Sequence, residues 1–197
     1  MNSYTDPFGE SALITMIKSD YLQPLKEDLI QRPENKNSLI LYGESGARKT
    51  YLVEKIGETL NWPILTLTAS NFLRGELKEF DTTSTKIFED LLRFRRVIVH
   101  FTKCEEFFRY AETGHRSIDN RTEGAFIIPN ILHHLQSLHN MKWVIFILET
   151  NMDTTKIDPA ITSNMIFDNS QEISFPRCEV QVQYVRRIMG NSAVTFV

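Results

Sequence analysis

Residues 38–50, SLILYGESGARKT, decide the fold, because an apolar strand candidate runs directly into a glycine loop and then into a helical segment. A phosphate-binding loop needs glycines that let backbone N–H groups turn inward around phosphate oxygens. It also needs a lysine for the terminal phosphates and a hydroxyl for magnesium. Gly43, Lys49 and Thr50 stand at three fixed positions of such a loop, and Arg48 stands at the fourth, where a glycine is expected. We therefore predict a P-loop with Thr50 as the magnesium ligand, composed of Gly43, Glu44, Ser45, Gly46, Ala47, Arg48, Lys49 and Thr50.

A simpler interpretation of residues 43–50 is an ordinary glycine turn of the kind that can join any strand to a helix. Arg48 leaves two interpretations open. Its Cβ either strains the backbone or crowds the phosphate, since glycine alone tolerates every backbone conformation. Alternatively, its guanidinium adds a phosphate contact. In either case the positive end of the following helix attracts an anion at this turn.

The rest of the chain alternates short apolar runs with segments of helical periodicity. Continuous apolar strands separated by helices indicate a parallel sheet covered on both faces. We predict an α/β fold, a P-loop three-layer sandwich around a five-stranded parallel sheet. The predicted strands are 38–42, 63–67, 97–101, 142–148 and 172–175, and the predicted helices are 11–31, 49–60, 82–94, 124–139 and 177–189. The predicted organisation is an N-terminal helical segment (1–37), the core (38–176), and a C-terminal helix and tail (177–197).

Composition does not indicate several functional classes, although local charged patches remain possible. The 197 residues carry a formal charge of −3, so no global basic field indicates a nucleic-acid partner. No apolar run approaches the roughly 20 residues that cross a bilayer, and the first ten residues lack the apolar core of a signal peptide. Cys104 and Cys178 form no framework of spaced pairs, which suits a reducing compartment. We expect a soluble, cytoplasmic protein with no membrane association.

Three further segments follow the P-loop in a meaningful order. They are VIVHFTKCEEFF (97–108), FILETN (146–151) and DPAITSNMIFD (158–168). With GESGARKT, they make the chain resemble the AAA+ ATPase family over roughly residues 22–189, specifically its ring-forming remodelling ATPases. The resemblance implies an ASCE-type strand order and ATP or ADP with Mg²⁺ as cofactors. It also implies a protein partner, either AAA+ subunits or further copies of this chain.

The resemblance fails at the acidic pair. Family members carry an aspartate that helps to hold magnesium and a glutamate that polarises the attacking water. Those positions are Thr102 and Lys103 in this sequence. A hydroxyl substitutes poorly for a carboxylate, and a protonated lysine has no lone pair with which to activate water. Two interpretations of Glu105 and Glu106 remain open: one of them supplies the catalytic carboxylate, or both begin a solvated helix.

The resemblance also assigns positions in the last two segments. Asn151 occupies the sensor position, where an amide positions water against the γ-phosphate, although an ordinary turn residue is an equal alternative. The two arginines that reach a neighbouring subunit's nucleotide are replaced by Ser163 and Ile166, and a glycine is replaced by Met165. Neither Ser163 nor Ile166 can stabilise charge on a transferring phosphoryl group, and such arginines contribute a factor of about 10³–10⁵ in rate. A helical lid domain is expected to be largely absent, because the residues after Pro176 suffice for one helix.

Other candidate sites have ordinary explanations. No pair among His115, His133, His134 and His139 has the i, i+4 spacing of metal ligands on a helix. We expect Phe107 and Phe108 in the core or at a subunit contact. The basic cluster Arg93, Arg95 and Arg96 ends a predicted helix, where cations suit the dipole, or forms a partner-binding patch.

Scaffold residues of each motif survive while most chemical residues are changed. We therefore predict a nucleotide-binding or nucleotide-sensing domain with negligible hydrolysis and a regulatory or scaffolding role. One alternative is a working ATPase that remodels proteins with Glu105 or Glu106. A second alternative is a structural interaction module that binds no nucleotide.

Overall fold

The computed structural model describes residues 15–16, 19–20, 35–73, 79–109, 121–163 and 166–174, with 121–128 and 163 described by their backbone alone. The elements alternate as the sequence predicts. In chain order they are β1 (Ser38–Tyr42), α1 (Lys49–Leu60), β2 (Ile64–Leu67), α2 (Ala69–Phe72), α3 (Phe80–Leu91), β3 (Val97–Phe101), α4 (Glu105–Phe108), α5 (Arg121–Met141), β4 (Val144–Thr150), a 3₁₀ turn (Thr154–Lys156), α6 (Pro159–Ser163) and β5 (Asn169–Glu172).

The strands form one sheet in the order β2-β3-β4-β1-β5, and every described pairing is parallel. The predicted α/β fold with a five-stranded parallel sheet is confirmed. β4 lies between the P-loop strand β1 and β3, as the ASCE order requires. Because all strands run in the same direction, the loops that follow β1, β3 and β4 meet at one edge of the sheet. Such carboxyl-terminal edges are where open α/β sheets bind ligands.

The sheet is covered on both faces. Successive side chains of a strand point to opposite faces, and in β1 Leu39 and Leu41 pack with Leu52, Val53 and other apolar residues of α1. Ile40 belongs to the opposite cluster, which contains residues of α2, α3, α4 and α5. These two clusters account for the near-continuous apolar runs of β1, β3 and β4, because a strand buried on both faces needs no polar alternation. The predicted three layers are present.

Several predicted boundaries are wrong. β5 is Asn169–Glu172 rather than 172–175, since it pairs with residues 39–42 of β1 through a polar sequence, NSQE, that carries no apolar signal. The predicted strand 142–148 begins at Val144 and continues to Thr150, because Lys142 adopts a left-handed conformation (φ 54°) before the strand starts.

Two predicted helices also change length. α3 starts at Phe80 and ends at Leu91 instead of spanning 82–94. The arginine cluster at 93–96 therefore lies beyond the helix and not in its last turn. α5 is longer than the predicted 124–139 and continues through Pro129.

Some predictions lie outside the described residues: most of the helix at 11–31, the C-terminal helix at 177–189, Cys178, His115, Met165 and the side chain of Ser163. Within the described ranges, no helix combines the length and the hydropathy that crossing a membrane requires.

Candidate nucleotide-binding site

The loop after β1 has the backbone of a tight glycine turn. Gly43 (φ 136°) and Gly46 (φ 85°) both adopt positive φ values that side chains disfavour. A Cβ on Gly43 would also clash with the backbone carbonyl oxygen of Ile173, just after β5. That approach is fixed by the Ile173 amide, which donates to the Tyr42 carbonyl at 2.7 Å. Only glycine therefore fits at the first position of the loop.

Arg48 adopts the left-handed conformation (φ 63°, ψ 25°) immediately before α1. A residue with a Cβ in this region costs about 1–2 kcal/mol relative to glycine, so the expected backbone strain is present. The guanidinium carbon lies 4.3 Å from the centroid of the Tyr51 ring. Whether the guanidinium also contacts a phosphate stays a prediction.

Lys49 is buried, with 3% of its surface exposed, and its ammonium group joins the loop to the end of β4. Nζ donates to the carbonyl oxygens of Gly43 (2.9 Å) and Glu44 (2.8 Å) and to Oδ1 of Asn151 (2.9 Å). Burial lowers the pKa of Lys49, and the nearby carboxylates of Glu149 and Glu105 partly offset this shift. These three contacts use all three donors of the ammonium group, so a phosphate oxygen would replace one of them.

A carboxylate that the sequence analysis did not single out faces the P-loop hydroxyl. Oγ1 of Thr50 lies 2.9 and 3.0 Å from the two carboxylate oxygens of Glu149. Nε2 of His100, on β3, lies 2.7 Å from Oε2 of the same carboxylate. Burial raises the pKa of Glu149, but the hydrogen bonds from His100 and Thr50 and the charges of His100 and Lys49 outweigh it, so the net pKa is lowered.

The sequence contained a signal for this pair. His100 and Glu149 each interrupt an apolar strand, VIVHF and VIFILET, and a buried ionisable side chain needs a partner. What the sequence lacked was the adjacency of the two strands. Once β3 and β4 are neighbours in parallel register, the two side chains meet on the α1 face of the sheet.

These residues surround a cavity of about 310 Å³ at the edge of the sheet. Its lining includes P-loop residues, the two positions of the missing acidic pair and the sensor position. The lining residues are Ser45, Gly46, Arg48, Lys49, Thr50, Thr102, Lys103, Glu105, Glu149, Thr150 and Asn151. Of the two candidate glutamates, Glu105 lines the cavity, and its Oε1 lies 3.4 Å from the backbone nitrogen of Asn151. Glu106 is exposed and pairs instead with Arg109 at 3.4 Å.

The cavity has the chemistry of an anion site with a magnesium position. α1 begins at Lys49 with no side-chain cap and no acidic residue in its first turn. The first backbone N–H groups of a helix lack intrahelical acceptors, and the helix dipole favours negative charge there. Lys49 supplies a cation, and Thr50 and Glu149 supply hydroxyl and carboxylate oxygens, the hard ligands that magnesium accepts.

The segment DPAITSNMIFD serves the scaffold. Oδ1 of Asp158 accepts from the amide of Ala160 at 2.8 Å, at the start of α6. Oδ2 of Asp168 accepts from the amides of Asn37 (2.7 Å) and Ser38 (3.0 Å) and thus holds the start of β1. Ile166, at one of the two arginine positions, is 1% exposed, so its side chain belongs to the core.

Several other candidates are structural. Phe107, Phe108 and Cys104 are buried in the core, and burial raises the pKa of the Cys104 thiol to about 12. The ring of His134 stacks on Phe88 with centroids 4.8 Å apart. No group of three or more His, Cys, Asp or Glu side chains suited to a metal ion occurs in the part of the chain that the structure describes.

The chain matches a known protein-family model over most of its length. The model of the family described as "ATPase family associated with various cellular activities (AAA)" matches residues 39–175, which include β2 to β5 and all of β1 except Ser38. No curated protein matches the chain.

Proposed function

The chain belongs to the AAA family of ATPases, and from that premise we propose that it binds ATP or ADP with Mg²⁺ at the loop 43–50 and hydrolyses ATP negligibly. The observation that carries the proposal is the position of Lys49, whose buried ammonium group bridges the P-loop and Asn151. A cation held at this place meets the terminal phosphates of a nucleotide whose phosphate chain follows the loop.

The negligible hydrolysis rests on what lines the cavity beyond the P-loop. Thr102 and Lys103 stand at the positions of the acidic pair, and both are in the cavity wall. Lys103 adopts a left-handed backbone (φ 53°), and it stands at the sequence position of the base in active members. A general base must accept a proton from water, and a protonated lysine has no free lone pair for it.

A working ATPase is the second candidate, because Glu105 lines the same cavity and influences Lys49 electrostatically. In that reading Glu105 replaces the missing base. Its Oε1 accepts from the backbone N–H of Asn151 at 3.4 Å, so it contacts the main chain of the residue at the sensor position. The proposal of negligible turnover therefore requires that Glu105 serves this loop contact and not water activation.

The biological role that follows is regulatory or scaffolding. Asp158 and Asp168 of the last motif hold the fold together. Ile166, at one of the two arginine positions, is buried in the core. A domain with these features loads nucleotide and presents its surface to a protein partner, either AAA+ subunits or further copies of this chain. We propose a cytoplasmic location for it.

Calorimetric titration with ATP and with ADP, in excess MgCl₂, tests nucleotide binding. We expect saturable binding by the wild-type chain and its loss in Lys49→Ala, while the exposed Lys86→Ala on α3 binds as the wild type does. No heat and no thermal shift with either nucleotide would favour a nucleotide-free interaction module. Phosphate release that depends on Lys49 would support the working ATPase instead.

A further inference from the structure

We propose that Glu149 is the carboxylate that holds magnesium beside Thr50, in place of the family's carboxylate at the position of Thr102, and that His100 is its positioning residue. The inference rests on the proposed nucleotide binding and adds the metal ligand of that same site. It concerns metal binding alone and assigns no residue to water activation.

The distances between the oxygen atoms suit a shared ion. Magnesium takes ligands at about 2.0–2.1 Å in near-ideal octahedral geometry, so two adjacent ligand oxygens lie about 2.9 Å apart. Oγ1 of Thr50 lies 2.9 Å from Oε1 and 3.0 Å from Oε2 of Glu149. The hydroxyl and the carboxylate therefore already have the separation of neighbouring ligands, and a bound ion would require the hydroxyl proton to turn away from the carboxylate.

The strand register explains how a residue of β4 replaces one of β3. In the parallel pairing Phe101 lies opposite Leu148, so Glu149 follows at the level of Thr102. Residues opposite each other in parallel strands point to the same face of the sheet, about 4.8 Å apart. The carboxylate at this level of the sheet is thus carried by β4, which is one strand closer to β1 and the P-loop than β3 is.

His100 fixes the orientation of this carboxylate. Its Nε2 lies 2.7 Å from Oε2 of Glu149, and the two side chains are only 3% and 14% exposed. Ligating carboxylates are commonly held by such hydrogen bonds, and loss of the holding residue weakens metal binding about 10–100-fold. Because His100 holds Oε2, the carboxylate keeps an orientation in which both of its oxygens face the hydroxyl of Thr50.

Other side chains of the cavity fit this role less well. The hydroxyl of Thr102 carries no charge, and the ammonium group of Lys103 repels a cation. The carboxylate of Glu105 is directed to the backbone N–H of Asn151. Glu149 is the carboxylate within hydrogen-bonding distance of Thr50 among the described residues.

The test measures ATP affinity by calorimetry in excess MgCl₂ and, separately, in excess EDTA. We expect the wild-type chain to bind ATP more tightly in MgCl₂ than in EDTA, and we call the ratio of the two affinities the magnesium gain. In Glu149→Gln the magnesium gain should be smaller by about 10-fold or more. The affinity in EDTA should be unchanged or higher in this variant, because a negative charge beside the phosphates has been removed. Glu106→Gln, an exposed glutamate outside the cavity, is the matched control and should keep the full gain.

Two additional measurements keep the inference testable if Glu149→Gln folds poorly. Glu149→Asp keeps the charge but withdraws the carboxylate by one methylene, so it should also lose the magnesium gain. Paramagnetic resonance of Mn²⁺ in the ATP complex reports the metal directly. The affinity of Mn²⁺ for the protein–ATP complex should fall in both Glu149 variants and in His100→Gln.

Full retention of the magnesium gain in the Glu149 variants would overturn the inference. Equal ATP affinity of the wild-type chain in MgCl₂ and EDTA would also overturn it while leaving nucleotide binding intact. Absence of ATP binding in both solutions would remove the proposed function together with this inference.

Discussion

Oδ1 of Asn151 accepts a hydrogen bond from Nζ of Lys49 at 2.9 Å, which joins the loop after β1 to the end of β4. The two residues are far apart in the sequence and meet only because β1 and β4 are neighbouring parallel strands. Through this contact the cation of the P-loop and the residue at the sensor position form one unit. If a bound phosphate replaces Asn151 among the three acceptors of Lys49, nucleotide occupancy is coupled to the end of β4.

This contact predicts the effect of Asn151→Ala. Without nucleotide, the variant should lose about 1 kcal/mol of unfolding free energy, because one donor of a buried ammonium group loses its acceptor. With saturating ATP the loss should shrink, since a phosphate oxygen takes that donor. Urea unfolding with and without ATP measures both values, and the exposed Gln136→Ala serves as the control. An equal loss under both conditions would contradict the coupling.

The backbone of Arg48 gives a second prediction. Arg48→Gly should raise the unfolding free energy by up to about 1 kcal/mol, because relief of the left-handed strain exceeds the entropic cost of glycine. Arg48→Ala keeps the Cβ and loses the contact with the Tyr51 ring, so it should destabilise by about 0.5 kcal/mol. Chemical denaturation compares the two variants. The order would be reversed if the loop were unstrained.

The pair of His100 and Glu149 predicts strong coupling in stability. His100→Leu leaves a buried carboxylate without its ionisable partner, with the hydroxyl of Thr50 still in contact, and should cost about 3 kcal/mol of unfolding free energy. The double variant His100→Leu with Glu149→Leu should recover most of this loss, because two apolar side chains replace the whole pair. A double-mutant cycle by urea unfolding measures the coupling. Additive losses would show that the two groups act independently.

Asp168 predicts the acid dependence of stability. Burial raises its pKa, but hydrogen bonds from His139, Asn37 and Ser38 outweigh burial and leave the pKa lowered. A carboxyl whose folded pKa lies below its unfolded value of about 3.9 stabilises the fold above that pH. This contribution is lost as the pH falls through the folded pKa.

Asp168→Asn should therefore cost about 2–3 kcal/mol at pH 7 and flatten the loss of stability between about pH 5 and pH 3. Thermal unfolding across that pH range measures the effect. The matched control is Asp90→Asn, which removes an exposed carboxylate paired with Arg93 and should leave the pH profile unchanged. An unchanged slope in Asp168→Asn would contradict the assignment.

The sequence predicted the centre of the fold better than its rim. β1, α1 and β3 have the predicted bounds, because the apolar run of each strand and the glycine loop before α1 are local signals. The edge strand β5 was misplaced, since its stability comes from pairing with β1 and from no apolar pattern of its own.

The candidate site shows the same difference between residues with a local sequence signal and residues whose contacts depend on strand order. The P-loop residues are contiguous, so a local motif is enough to propose them as the binding loop. Glu149 and His100 are separated along the chain, and their meeting depends on strand order and register, which the sequence analysis did not use to pair side chains. Glu105 and Glu106 are adjacent in the sequence, yet α4 directs only Glu105 to the cavity.

The most direct test of the account is the identity of the nucleotide that stays bound to purified protein after incubation with γ-labelled ATP and MgCl₂. The account predicts that the bound nucleotide is still ATP after a long incubation and that Lys49→Ala retains none. Steady conversion to ADP and labelled phosphate by the wild-type chain, abolished in Lys49→Ala, would contradict it.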